Sequence, residues 1–165
     1  DALGTLTYRC NRGTSGIDGS MSTAIGAAIA QPDKLHVIIT GDISFFYDSN
    51  AFWNNHVPSN VRVFLINNGG GGIFKIIPGP SSTKAYDQHF VAKQNFSAAH
   101  ICEAFDINYK KADSLADIEA QLDDFYSHQP NKRPVVMEIF TPHDLNDQVL
   151  KDYFSKIKVT PKLLS

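Results

Sequence analysis

"LINNGGGGIF", Leu65 to Phe74, breaks the pattern of a good core. An apolar run of strand character ends in two asparagines and four consecutive glycines, then returns to Ile73 and Phe74. Ordering a glycine costs backbone entropy, roughly 0.5–1 kcal/mol relative to alanine in regular structure. Such a run is either a flexible linker or a place where backbone must touch something. The strand that feeds it decides the fold. "VRVFLI" (Val61–Ile66) is β-branched and nearly continuous in apolar character, as are "LHVIIT" (Leu35–Thr40) and "PVVMEIF" (Pro134–Phe140). Strands of this kind are expected to be covered on both faces of a parallel sheet. "INYKKA" (Ile107–Ala112) is a weaker strand candidate, and "TLTYRC" (Thr5–Cys10) reads as an incoming strand or an extended lead-in.

Helical patterns lie between these strands. "SMSTAIGAAIA" (Ser20–Ala30) is rich in small residues, which suits tight packing on a sheet. "SFFYDSNAFWNN" (Ser44–Asn55) has apolar residues at helical spacing, and "SAAHICEAF" (Ser97–Phe105) opens on a serine cap. "SLADIEAQLDDFYSH" (Ser114–His128) aligns Leu115, Ile118, Leu122 and Phe125 on one stripe. "DLNDQVLKDYFSKI" (Asp144–Ile157) is a further helix. Strands alternating with helices predict an α/β domain with a parallel sheet and right-handed crossovers.

Composition bounds the function. The 165 residues suit one ordinary domain, 42% hydrophobic and 19% charged. A net charge of −2 gives no electrostatic footprint for nucleic acid and no polybasic membrane patch. No apolar run reaches the roughly 18–20 residues of a membrane span. No signal peptide is visible at the start, and two isolated cysteines, Cys10 and Cys102, suit a reducing compartment, so a cytoplasmic protein is expected. The six histidines form no close-spaced metal pair.

In an open parallel sheet, ligands bind beyond the carboxyl ends of the strands. Two strand ends here carry polar, glycine-containing turns: "VIITGDIS", where the strand meets Gly41-Asp42, and "FLINNGGGG". Asp42 alone is either a helix N-cap or a ligand for a hard divalent cation. Asn68 shifts the balance. If the two strands are neighbours, both residues face one crevice, where the Asn68 side chain and the Gly70 carbonyl could complete a set of oxygen ligands. Glycines let backbone approach a phosphate without Cβ interference, and the helix after Asp42 would offer N–H donors to the same anion. A diphosphate–Mg²⁺ site accounts for both turns together. Neither a P-loop motif nor a dinucleotide-binding G-x-G-x-x-G is present.

A Gly-Asp pair, a spacer of about a helix and a strand, then "NN" resembles the motif of the thiamine-diphosphate enzyme family, often written GDG…NN. Ile43 departs from it, standing where many members have glycine. "GDIS", "YDSN", "NNGGGGIF" and the earlier "NRGTSGIDG" together resemble one branch, the 2-succinyl-5-enolpyruvyl-6-hydroxy-3-cyclohexene-1-carboxylate synthases of menaquinone biosynthesis, whose members accept a hydrophobic residue at that position. The resemblance implies a three-layer, doubly wound, mostly parallel sheet with helices on both faces. It implies thiamine diphosphate and Mg²⁺ or Mn²⁺ as cofactors, with Asp42, Asn68 and Gly70 as metal ligands. Gly41, Ile43 and Ser44 match positions around the diphosphate, and Gly71 and Gly72 add backbone donors. Ser15, Gly16 and Ile17 match the stretch beside the cofactor's rings. There Ile17 would prop the cofactor in its bent form, unless it is simply a core residue.

The family's substrates, 2-oxoglutarate and isochorismate, are dicarboxylates. Arg12, in "NRGTSG", either holds a substrate carboxylate or faces water, and Asn11 could orient it. Ile73 and Phe74 match apolar residues lining the substrate pocket, and Lys75 lies either at its mouth or in solvent. The implied reaction is a decarboxylative addition of 2-oxoglutarate to isochorismate. The family's catalytic glutamate lies in a separate N-terminal, pyrimidine-binding domain, and the active site forms against a second subunit, as in a homodimer. Glu103, Glu119 and Glu138 match no such position, so no catalytic residue is expected within this chain. The whole chain, 1–165, is expected to be one diphosphate-binding domain of a larger enzyme, with little turnover in isolation. Two rivals remain: another thiamine-diphosphate carboligase or decarboxylase acting on a 2-oxo acid, and a non-catalytic α/β module binding a phosphorylated ligand.

Overall fold

The computed structural model describes residues 5–11, 13, 16–77, 79, 82–127 and 133–157. Four strands, β1 (His36–Gly41), β2 (Val61–Asn67), β3 (Asn108–Ala112) and β4 (Val135–Phe140), pair in the order β1-β2-β4-β3, all parallel. Register sets Gly41 opposite Ile66 and Asn67 opposite Phe140, so the ends of the three strands line up. The weak candidate over 107–112 is thus a true edge strand.

Side chains alternate across the sheet because the strand period is two. Val61, Val63 and Leu65 of β2 point to one face. There they meet Met21, Ile25 and Ala28 of α1 (Ser20–Ala30), Phe45 of α2 (Asp42–Tyr47) and Cys102 of α3 (Ala99–Ala104). Phe64 points to the other face, where it packs with Val135, Met137, Phe125 and Ile118 under α4 (Leu115–Tyr126). Phe64 and Phe125 have their ring centroids 4.5 Å apart. The three-layer expectation holds: helices lie on both faces of a parallel sheet. A fifth helix, α5 (Asn146–Lys156), follows β4 and lies over the short helical turn Gly72–Lys75.

Of the two readings of Thr5–Cys10 the strand is not found, the segment being irregular and exposed. Three local expectations need correction. β1 is covered on one face only. Ile38 is buried, but Ile39 is 75% exposed, because α4 lies over the β2, β3 and β4 side of its face. The helix expected over 44–55 instead runs from Asp42 to Tyr47 and is followed by a separate turn, Ser49–Phe52. Asp48 makes the break: its carboxylate accepts from the Ser22 N–H and hydroxyl, both at 2.7 Å, tying this corner to the start of α1. Leu115 leaves its stripe for solvent, while Ser114 caps α4 by accepting from the Asp117 N–H at 3.1 Å.

Candidate functional site

β1 and β2 are neighbours, so the two loud turns meet. Asp42 follows β1 directly and is 2% exposed. Its Oδ1 accepts from the adjacent Ile43 N–H at 2.8 Å, while Gly41 takes the N-cap position of α2 and no side chain caps the helix. Its Oδ2 reaches across to the other turn and accepts from the Gly70 N–H at 2.8 Å and from Gln94 Nε2 at 2.6 Å. The Gly70 N–H also lies 3.3 Å from Asn68 Oδ1. Asp42 and Asn68 therefore bring one carboxylate oxygen and one amide oxygen to the same backbone group.

The glycines are needed where contact is closest. Gly70 has φ of +151°, and a Cβ there would sit 2.7 Å from the Val91 carbonyl oxygen. Gly69, at φ +75°, returns its carbonyl to the Gln94 N–H at 3.0 Å. The run is a folded turn stitched to residues 91–94 and not a linker.

A cavity of about 750 Å³ opens over these turns. Gly41, Asp42, Ile43 and Ser44 form one side, with Ile17 beside them. Asn68, Gly70, Gly71, Gly72 and Ile73 form the other. Ser44 Oγ donates to the Ile17 carbonyl at 2.7 Å, fixing the loop that precedes α1 against α2. Three expected site residues lie elsewhere. Phe74 turns away from the cavity and packs edge-on against Phe90, with centroids 5.4 Å apart. Asn11 is exposed and donates to Thr23 Oγ1 at 3.2 Å, which points it at α1. Gly16 is exposed and outside the cavity wall. Arg12 and Ser15 lie outside the described residues. Lys75 Nζ sits 3.5 Å from Asp144 and 3.3 Å from the His143 carbonyl, at the foot of α5.

Sequence reasoning missed the third wall of the cavity. Asn146, Asp147, Val149, Leu150 and Tyr153 of α5 complete it. The helix was legible, but nothing in its spacing says where it lies. Lys151 hydrogen-bonds the Asp147 carboxylate and holds it below the usual range. Gln94 was missed as well, because a glutamine in a loop carries no local signal. So was Glu138, fully buried on β4. It takes hydrogen bonds from Asn67, Ser97, Ala98 and Tyr109, and its charge joins burial in pushing the Cys102 thiol up to about 12.

This fold and site define a class. Residues 4–139 match the family model described as "Thiamine pyrophosphate enzyme, C-terminal TPP binding domain". The chain belongs to that family. Its curated relatives include two proteins named 2-succinyl-5-enolpyruvyl-6-hydroxy-3-cyclohexene-1-carboxylate synthase. The one from Christiangramia forsetii is 48% identical over 93% of this chain and 26% of the relative's length. That from Flavobacterium johnsoniae is 47% identical over 90% and 26%. The chain thus spans about a quarter of the length of the relatives it matches. Among solved structures, a Rhodococcus jostii thiamine diphosphate-dependent 4-hydroxybenzoylformate decarboxylase superposes with a TM-score of 0.56. It shares 19% identity, covering 72% of this chain and 22% of that one, which is a likeness of fold.

The donor set fits the family's cofactor. Among the described residues no group of three or more His, Cys, Asp or Glu gathers as a metal site. Asp42 and Asn68 bring a carboxylate and an amide oxygen to one turn, donors of the type that suits a hard divalent cation. Gly70, Gly71 and Gly72 line the cavity, and their missing side chains let this turn lie against residues 90–92 and Asn68. No helix among the described residues is long and apolar enough to cross a membrane.

Proposed function

We propose that this chain is the diphosphate- and metal-binding domain of a thiamine-diphosphate-dependent enzyme. In this reading the enzyme adds 2-oxoglutarate, with loss of carbon dioxide, to isochorismate, giving 2-succinyl-5-enolpyruvyl-6-hydroxy-3-cyclohexene-1-carboxylate for menaquinone biosynthesis. One observation carries the site: Asp42 Oδ2 and Asn68 Oδ1 converge on the Gly70 N–H at 2.8 and 3.3 Å, across the junction of two neighbouring strands. The particular activity is supported by relatives of that name at 47–48% identity.

Bound thiamine diphosphate supplies an electron sink that lets a 2-oxo acid lose carbon dioxide and form a new carbon–carbon bond. The protein's residues do the rest. Asp42, Asn68 and the Gly70 carbonyl hold Mg²⁺ or Mn²⁺. The N–H group of Gly72 holds the diphosphate, with Gly41, Ile43, Ser44 and Gly71 shaping the same wall; the Ser44 hydroxyl and the Gly71 N–H are given to the carbonyls of Ile17 and Val91. Ile17 supports the cofactor's rings, and Ile73 with the apolar face of α5 excludes water from the reacting end. Arg12 binds a substrate carboxylate. In this reading the catalytic glutamate comes from a pyrimidine-binding domain, and a second subunit completes the site.

Calorimetry on the full-length protein tests the reading. Thiamine diphosphate should bind only with Mg²⁺ or Mn²⁺ present, and Asp42→Ala should abolish binding. Product formation from 2-oxoglutarate and isochorismate should follow binding. Absence of metal-dependent binding by the wild type refutes the cofactor reading. Binding with turnover of other 2-oxo acids alone refutes the substrates.

A further inference from the structure

Glu138 has no place in the chemistry above, yet it is fully buried, with Asn67 among its donors. Its Oε1 accepts from Asn67 Nδ2 at 2.8 Å and from the Ala98 N–H at 3.0 Å. Its Oε2 takes the Tyr109 hydroxyl at 2.6 Å and the Ser97 hydroxyl at 2.7 Å. Burying a carboxylate is costly unless its hydrogen bonds are made, and these donors make them.

The Asn67 amide continues the chain. Nδ2 donates to Glu138 and to the Phe96 carbonyl at 2.9 Å, which uses both of its hydrogens. Oδ1 then accepts from the Gly69 N–H and from Gln94 Nε2, each at 3.1 Å. Gln94 Nε2 spends its second hydrogen on Asp42 Oδ2 at 2.6 Å, and Gln94 Oε1 accepts from the Phe96 N–H. Neither amide can flip. Turned over, Asn67 would set oxygen against the Glu138 carboxylate and the Phe96 carbonyl, and its NH₂ against two donors. Gln94 turned over would set oxygen against both Asp42 and Asn67. The chain runs between two carboxylates, Glu138 and Asp42, and backbone groups of Gly69 and Phe96 hold the two amides in the same sense.

We propose that Glu138 is a positioning residue for the metal ligands. Through Asn67 and Gln94 it sets the hydrogen-bond polarity that shapes the Asn67–Gly70 turn and aims Asp42 Oδ2. It touches neither cofactor nor substrate. The inference rests on the diphosphate–metal reading of this site. Outer partners of metal ligands matter in this way because they fix orientation, and losing one commonly costs about 10–100-fold in metal affinity.

The test is calorimetric titration of the full-length protein with thiamine diphosphate across a Mg²⁺ series, beside thermal unfolding without ligand. Glu138→Gln keeps the shape but puts an NH₂ where acceptors are needed. It should raise the Mg²⁺ concentration for half-maximal binding about tenfold. Gln94→Met breaks the chain at its partly exposed end, where folding is not at stake, and should raise it by at least as much. Phe125→Leu, on the opposite face of the sheet, serves as the control. It should lower the unfolding midpoint and leave the Mg²⁺ requirement within twofold of wild type. Unchanged Mg²⁺ dependence in Glu138→Gln or in Gln94→Met, or a shift in Phe125→Leu as large as in the chain variants, overturns the inference while the cofactor reading stands. A wild type that binds no thiamine diphosphate with Mg²⁺ overturns both.

Discussion

The two ends of the sheet bury polar groups by opposite rules. At the amino end, donors close over carbonyl oxygens. Arg62 is 2% exposed and gives its guanidinium to the carbonyls of Phe125, Ser127, Ser59 and Val61, so the last turn of α4 and the start of β2 are sealed together. Burial lowers its pKa, with Asp124 opposing. Asn60 does the same for the end of α1, directing Nδ2 at four carbonyls between 2.7 and 3.3 Å. At the carboxyl end, backbone N–H groups and carboxylate oxygens meet around Gly70 under an open cavity of about 750 Å³. One end closes on itself through these donors, with only Asn60 Oδ1 among its named groups buried without a partner. The other gathers carboxylate and amide oxygens around one glycine turn and leaves the space above it open.

That contrast can be broken from either side. The largest effect is expected at the closed end. Arg62→Met strands buried carbonyls and should lower unfolding free energy by about 3 kcal/mol or more, read from urea denaturation. Thiamine diphosphate affinity, measured well below the unfolding midpoint, should be unchanged. At the open end, Gly70→Ala meets both a positive φ and the Val91 carbonyl. It should cost about 2 kcal/mol of stability, and unlike the arginine change it should weaken metal-dependent cofactor binding tenfold or more. If the two variants affected binding alike, the division between a sealing end and a binding end would be wrong.

Asn60→Ala sharpens the same comparison with a smaller change. A loss of about 1–2 kcal/mol in chemical denaturation, again without effect on cofactor affinity, is expected. A last effect concerns pH. Cys102 sits between the ends, its thiol raised from 9.0 to about 12 by burial and by Glu138. The folded protein therefore keeps this proton where the unfolded chain loses it. The stabilisation is fully present below pH 9 and is lost as pH rises toward 12, at about 1.4 kcal/mol per pH unit. Cys102→Ala should flatten that part of the slope in unfolding measured from pH 8 to 10.5. Under native conditions a thiol reagent should modify exposed Cys10 and spare Cys102.

Much of this was legible in the chain. Four strands, five helices and the two glycine-bearing turns follow from runs of neighbours, because period and turn chemistry are local. The convergence of Asp42 with Asn68 needed only that two consecutive strands pair. The sequence did not reveal that Asp48 would end α2 by binding Ser22, or that Ile39 would face solvent. Both depend on residues far along the chain.

What the sequence determined by itself was the α/β order, the family and the oxygen-bearing turns. Tertiary structure alone decided the rest. It brought Gln94 to Asp42 across 52 residues, set Glu138 beneath Asn67 across 71, and laid α5 over the cavity. The reason is physical. A strand or a turn is specified by side chains a few positions apart, whereas an amide's orientation is specified by whichever donors and acceptors the crossovers deliver to it.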